Sequence, residues 1–268
     1  MMPHLFDHLD SVQRFLSLPP LGLISDIDGT ISRTAPTPAQ AQVSPVCQHH
    51  LALLAKRLKL VALVSGRPVV QMRQMLESEA IVYIGNHGFE RWAGGQVEPH
   101  GDVRRYRALI DAALEDLRPL LAIEGILFDN KGATATIHYR LVQDREAAKE
   151  QILAALAKSP AAKGLLVSRG KMAIELRPPV AVSKGSATLD LIRDYDLRRA
   201  IYLGDDLTDV EAFRAIHSGE APNFKGLAIG VIDEEAAPEV EAEADFTLNG
   251  VDQVEQFLGW LAEAVGSA

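Results

Sequence analysis

The chain has 268 residues, enough for one large domain or for a core carrying a smaller one. Hydrophobic residues make up 47% and charged residues 24%, the balance of a globular chain with a sizeable core rather than a disordered one. A formal net charge of −9 and an isoelectric point near 5.4 exclude a general nucleic-acid binder, which needs Lys and Arg against backbone phosphates. A phosphorylated small molecule stays admissible, because a bound cation and a few local bases can reverse the field inside one cleft.

Met1 to Gln13 mixes acidic and polar side chains without a basic stretch followed by an apolar one, so no secretory signal is expected there. No apolar run approaches the roughly 20 residues that span a bilayer, and a cytoplasmic protein without a membrane partner is the expectation. Leu21–Ser25 reads as a buried strand that ends in Asp-Ile-Asp-Gly-Thr. Val46–Leu58 has helical periodicity and contains Cys47, the only cysteine. A lone cysteine forms no intrachain disulfide and no thiolate cluster, and here it reads as a small buried residue. Leu60–Val64 is a second buried strand, ending in Ser65-Gly66-Arg67-Pro68, with a helix expected over Val69–Glu77. Ala80–Ile84 is a third, ending in Gly85-Asn86-His87-Gly88.

The pattern then changes. A long amphipathic helix over Val103–Leu121, strands at Gly125–Asp129 and Thr134–Arg140, a helix at Asp144–Lys158 and a strand pair at Leu165–Ser168 and Met172–Leu176 make an α+β unit. From Lys184 onward, helix Ser186–Tyr195, strand Ala200–Leu203 and the tip Gly204-Asp205-Asp206 resume the first pattern. Ala228–Val231 and Phe246–Leu248 read as closing strands, and Val251–Val265 as a terminal helix. The expected architecture is α/β: a doubly wound, Rossmann-like parallel sheet formed by residues 1–100 and 178–268, interrupted by an α+β domain over 101–177.

All the polar tips fall at carboxyl ends of predicted strands, where ligands gather in such sheets. Asp26 and Asp28 flank one residue, so on an extended chain both carboxylates project to one side. The first suits nucleophilic attack on phosphorus and the second proton transfer, although the same residues could open a solvated turn. Thr30 follows the turn at Gly29 and can contact a phosphate oxygen. Ser65 and the Gly66 backbone, just before a helix, offer a hydroxyl and an N–H for phosphate. Gly204-Asp205-Asp206-Leu207-Thr208-Asp209 packs three carboxylates into five residues, an arrangement that suits a hard cation such as Mg²⁺ or else the N-terminus of a helix. Lys184 can offset the charge of Asp26 and a phosphoryl group.

Together, Asp-X-Asp-Gly-Thr, Ser65, Lys184 and Gly-Asp-Asp-X-X-Asp resemble the haloacid-dehalogenase superfamily over nearly the whole chain. The resemblance implies Asp26 as nucleophile, Asp28 as general acid and base, and Ser65 and Lys184 as phosphate ligands. Mg²⁺ is then implied on Asp26, the Asp28 carbonyl and Asp205, with Asp209 in support. Within that superfamily, Ser65-Gly66-Arg67, Gly85-Asn86-His87-Gly88-Phe89-Glu90, Asp129-Asn130-Lys131, His138-Tyr139-Arg140 and Gly170-Lys171-Met172 with Glu175 and Arg177 resemble the trehalose-6-phosphate phosphatase family. By that likeness Lys131, Arg140, Lys171 and Glu175 are expected to meet sugar hydroxyls from an inserted cap, and Arg67, His87 and Glu90 to serve the core side of the cleft. The implied substrate is a small sugar phosphate, and a monomer is the working expectation. Alternatives are a phosphatase of glucosylglycerol phosphate or sucrose phosphate, a phosphomutase, and a non-catalytic sugar-phosphate sensor.

Overall fold

After a short N-terminal helix α1 (Leu9–Leu16), the chain enters β1 (Leu21–Ser25), buried at every residue, and proceeds through α2 (Pro45–Leu54), β2 (Leu60–Val64), α3 (Val69–Met75) and β3 (Val82–Gly85). Strands β4 (Glu90–Ala93) and β5 (Gln96–Pro99) follow, and with them the first leg ends. The inserted leg runs α4 (Arg104–Leu117), β6 (Leu127–Asn130), β7 (Ala135–His138), α5 (Arg145–Lys158), β8 (Leu166–Gly170) and β9 (Ala173–Arg177). The last leg is α6 (Lys184–Asp194), β10 (Arg199–Gly204), α7 (Leu207–His217), β11 (Lys225–Ile232), α8 (Pro238–Glu243), β12 (Phe246–Asn249) and α9 (Gly250–Gly266). The computed structural model describes residues 2–93, 95–220 and 223–266. It divides into two compact units, Met1–Glu98 with Val182–Ala268, and Pro99–Ala181.

The first unit is an eight-stranded sheet in the order β12-β11-β10-β1-β2-β3-β4-β5. Strands β12 to β3 are mutually parallel, and β4 turns back antiparallel to β3. Central parallel strands are covered on both faces, which is why they read as unbroken apolar runs rather than as alternation. Neighbouring residues nevertheless serve opposite cores. Leu23, Val61, Leu63, Ile201, Leu203, Ile229 and Val231 pack into one cluster, with α2 and α9 contributing Leu51, Leu54, Phe257 and Leu261. Ile24, Leu60, Ala62, Val64, Tyr202 and Ala228 join the other, with α6 and α7 contributing Leu191, Ile192, Phe213 and Ile216. This is the period of two expected of strands, with helices on both sides of a doubly wound α/β sheet.

Register then fixes the height of the tips. Ser25 pairs with Leu203 across β1 and β10, and Val64 with Ile84 across β2 and β3. Asp26 and Ser65 one residue on, and Asp205 and Asn86 two residues on, therefore leave the sheet together at its carboxyl end.

The second unit is a separate antiparallel sheet in the order β6-β7-β9-β8. One face packs Ile137, Ile174 and Leu176 against Ile110, Leu114, Leu117, Ile152 and Leu156 of α4 and α5. On the other face, pairings Asp129↔Thr136, Thr136↔Glu175 and Ser168↔Glu175 set four polar side chains in one row.

Several expected boundaries move. Helix α3 stops at Met75 because Leu76 is extended (φ −150°, ψ 105°). Helix α6 starts at Lys184, not Ser186: the Ser183 side chain accepts the Gly185 and Ser186 N–H groups, and Ser186 Oγ accepts the Ser183 N–H. Strands β4 and β5 were not expected at all. Among the described residues, no helix is long and apolar enough to cross a membrane.

Candidate active site

Asp26 is the first residue past β1. Its N–H donates to the Leu203 carbonyl at 2.9 Å, extending the β1–β10 ladder by one step, and only 4% of the residue is exposed. Lys184, in the first turn of α6, reaches the same place. Its Nζ lies 2.9 Å from Asp26 Oδ1 and 2.8 Å from Asp209 Oδ1. The Lys184 ammonium therefore pairs with both buried carboxylates at once. Burial raises the Asp26 carboxyl well above the usual carboxylate range; Lys184 pulls it down, and Asp209, Asp205 and Asp28 push it up. For Lys184 burial acts downward, but Asp209 and Asp26 outweigh it and the ammonium is held above its ordinary value.

Asp209 is the anchor of this arrangement. Oδ1 accepts Lys184 Nζ and the Tyr202 hydroxyl, each at 2.8 Å, while Oδ2 accepts the N–H groups of Asp205 and Asp206 at 3.2 and 3.1 Å. Four hydrogen bonds fill the roughly four acceptor positions of a carboxylate. Asp209 thereby aims the Gly204–Asp206 turn, the supporting place expected of it. Asp206 caps α7, its Oδ1 accepting the Leu207 N–H at 2.7 Å. Asp205, 1% exposed, accepts the hydroxyl of Thr30 at 3.0 Å. Tyr202, whose hydroxyl reads as part of a buried strand, escaped sequence analysis; a tyrosine facing the same end of the sheet as an acidic tip is the signal that could have found it.

Asp26, Asp205 and Asp209 bring carboxylate oxygens within 4.8 Å of one another. Three buried carboxylates (−3) against the Lys184 ammonium (+1) leave a formal −2. Such an all-oxygen, net-negative cluster fits a divalent hard cation. The Asp28 side chain is not part of it. Both of its oxygens are taken by Arg67, Nε to Oδ2 at 2.6 Å and Nη2 to Oδ1 at 2.8 Å. Arg67, expected on the core side of the cleft, is thus a bidentate partner of Asp28.

Gly29 is required where it stands. It has φ +82°, and a Cβ there would sit 2.0 Å from Asp205 Oδ2. Gly29→Ala is expected to cost roughly 1–3 kcal/mol of stability through backbone strain and to displace Asp205. Thermal melting and calorimetric titration with Mg²⁺ should show a lower melting temperature and weaker binding; unchanged values for both contradict this.

The second strand tip places the remaining expected core residues. Ser65 is 1% exposed; its Oγ accepts the Arg67 N–H at 3.3 Å. Gly66 leaves space for the His87 ring, whose Nε2 would lie 2.6 Å from a Cβ there. His87 is buried in the left-handed conformation (φ 60°), beside Asn86 (φ 50°). Glu90 is engaged inside the unit, Oε1 by Asn86 Nδ2 at 2.7 Å and Oε2 by the Val69 N–H at 3.0 Å. It fastens the tip of β3 to the start of α3.

In the second unit, Lys131 follows β6, its Nζ 4.0 Å from Asp129 Oδ2. Glu175 lies in β9, its Oε2 3.5 Å from Ser168 Oγ. Lys171 sits in the β8–β9 turn beside Met172 (φ 52°), and Arg140 lies two residues past β7. The structure thus gathers Asp129, Lys131 and Glu175 around one sheet face. His138, between them, has its Nε2 buried without a partner; burial, then Lys131, lowers its pKa to about 4.

Comparison with known proteins now decides the family. The trehalose-phosphatase family model matches residues 24–252. The chain belongs to the trehalose-phosphatase family. A probable trehalose-phosphate phosphatase of Sinorhizobium fredii is 34% identical over 203 residues, covering 73% of each chain. An uncharacterised glycosyl hydrolase of Mycobacterium tuberculosis is 33% identical over 247 residues, 88% of this chain, which spans only 18% of that relative's length. In fold, the C-terminal domain of Candida albicans trehalose-6-phosphate phosphatase superposes with a TM-score of 0.81 at 20% identity, covering 98% of both chains. The matched span runs from β1 into α9, so the whole Asp26–Lys184–Asp205–Asp209 cluster lies inside the trehalose-phosphatase match.

Proposed function

We propose that this chain is a Mg²⁺-dependent phosphatase that hydrolyses trehalose 6-phosphate to trehalose and inorganic phosphate through an aspartyl-phosphate on Asp26. The observation that carries the reading is the buried charge cluster: Asp26 paired with Lys184 and gathered with two further aspartates. An anionic nucleophile meets an anionic phosphate only where cations screen both, and the family membership supplies the substrate class.

Asp26 attacks phosphorus, and the bond from phosphorus to the sugar oxygen breaks with its electron pair on that oxygen. Asp28 gives the oxygen a proton. Asp28 then takes a proton from water, whose oxygen attacks phosphorus and releases inorganic phosphate and the free Asp26 carboxylate. Lys184 and Ser65, with the Gly66 N–H, hold the phosphoryl oxygens, while the Thr30 hydroxyl, first expected on phosphate, holds Asp205. Asp26, Asp205 and the Asp28 carbonyl would hold Mg²⁺, which supplies charge neutralisation at the phosphoryl group when bound. In this reading the second unit is the cap, and Lys131, Arg140, Lys171 and Glu175 read the disaccharide, with His87 at the core side. The enzyme acts in the cytoplasm on a free sugar phosphate.

Phosphate release is measured with trehalose 6-phosphate, sucrose 6-phosphate, glucosylglycerol phosphate and glucose 6-phosphate, with Mg²⁺ and with EDTA. Metal-dependent release with a preference for trehalose 6-phosphate is expected. Preference for another ester overturns the assigned substrate, isomerised product without phosphate release indicates a mutase, and binding without turnover indicates a sensor.

A further inference from the structure

Arg67 follows the phosphate-facing Ser65-Gly66 pair, yet its guanidinium is committed to Asp28 through two parallel hydrogen bonds of 2.6 and 2.8 Å. A planar fork on both oxygens fixes the rotation of a carboxylate, which a single ammonium cannot do. Burial is unequal: the Arg67 side chain is 10% exposed and that of Asp28 40%. The arginine is therefore the mounted half of the pair, and the carboxylate is the half turned to the open side.

The mount itself is visible. The Arg67 N–H donates to Ser65 Oγ at 3.3 Å, and the Arg67 carbonyl accepts the Asn86 N–H at 2.9 Å. Asn86 in turn holds Glu90, whose other oxygen accepts the Val69 N–H at the start of α3. Gly85 allows the two segments to close up, since a Cβ there would lie 2.8 Å from the Arg67 carbonyl oxygen and 2.7 Å from Val69 N. An unbroken series of hydrogen bonds leads from Glu90 to Asp28.

We propose that Arg67 is a positioning residue that acts through Asp28, holding this carboxylate in the orientation from which it serves the leaving oxygen, with Asn86 and Glu90 as its mount. Each carboxylate oxygen keeps a second acceptor position outside the fork, where a proton is carried. The inference rests on the proton-transfer role of Asp28 stated above and adds to it the residue that aims it.

The test exploits leaving-group chemistry. A p-nitrophenolate departs without a proton, whereas an alkoxide does not. With Mg²⁺ present, wild type and Arg67→Met are compared on trehalose 6-phosphate, on glycerol 2-phosphate, which is an alkyl ester without the disaccharide, and on the initial burst of p-nitrophenolate from p-nitrophenyl phosphate. The expected result is a loss of about tenfold or more in kcat on both alkyl esters, KM within about twofold, and a p-nitrophenolate burst slowed by less than about threefold. Equal losses on all three esters make Arg67 a phosphate ligand, and a loss confined to trehalose 6-phosphate makes it a sugar ligand; either overturns the inference. If Arg67→Met does not fold, Arg67→Lys, which keeps the charge and loses the fork, is read in the same way. A wild type that releases no phosphate from any ester overturns the phosphatase reading and this inference with it, whereas a uniform loss in an active protein overturns the inference alone.

Discussion

Asp26→Asn is expected to abolish phosphate release while leaving the protein folded and at least as stable as the wild type. An amide cannot form the acyl-phosphate, and loss of a nucleophile that acts in concert with its neighbours costs on the order of 10⁴- to 10⁶-fold in kcat. The stability side follows from burial. Asp26 is enclosed with Asp205 and Asp209. Asparagine has nearly the same shape and removes one of three crowded negative charges, while Lys184 keeps Asp209 at 2.8 Å. A melting temperature equal to or above that of the metal-free wild type is the expected readout, a trade of stability for activity common at functional sites. Appreciable turnover by the variant contradicts the assignment of the nucleophile, and a large fall in melting temperature contradicts the account of the charge cluster.

Lys184→Met is expected to be the opposite kind of variant, losing both activity and stability. Methionine retains much of the apolar stem but removes the cation between Asp26 and Asp209, all three side chains being 6% exposed or less. Removing one partner of a buried ion pair leaves an uncompensated charge and costs about 3–5 kcal/mol. For a chain of this size that is a fall of roughly 10 °C in melting temperature. Adding Asp209→Asn should recover part of the loss, because it removes one of the stranded charges. A single variant melting within about 2 °C of the wild type, or a double variant no more stable than the single, contradicts this reading.

These two residues were legible in the sequence because each stands at the end of an apolar run or at the start of a helix. Leu21–Ser25, Leu60–Val64 and the run before Gly204 are strands buried on both faces, and such strands declare themselves by composition alone. Strands β4 and β5 do not. They form the antiparallel edge, with residues mostly half-buried or exposed, and their sequences Glu-Arg-Trp-Ala and Gln-Val-Glu-Pro show neither an apolar run nor a clean alternation. Helix α8, with three acids among six residues, was hidden for the same reason.

The site divides along similar lines. Residue types predict that acids gather at Gly204–Asp209, but not how the acids share the work. Asp206 caps a helix, Asp209 spends all four acceptor positions on its neighbours, and Asp205 remains beside Asp26. That division depends on Tyr202 and Lys184, which come from another strand position and another helix. The Asp28–Arg67 fork joins residues 39 apart in sequence, and no local pattern announces it. Glu90 belongs to a motif that pointed to substrate, whereas its two oxygens bind Asn86 and Val69. Tertiary partners, rather than residue identity, decide which polar groups face a ligand and which hold those groups in place.

The central claim is that phosphate passes through the carboxylate of Asp26. The direct measurement is a rapid acid quench of the protein mixed with Mg²⁺ and trehalose 6-phosphate, followed by peptide mass spectrometry under conditions that preserve acyl phosphates. A phosphoryl group on the peptide containing Asp26, formed and lost at rates compatible with turnover and absent from Asp26→Asn, is the predicted result. Phosphate release at full rate with the phosphoryl group on a different residue would contradict it.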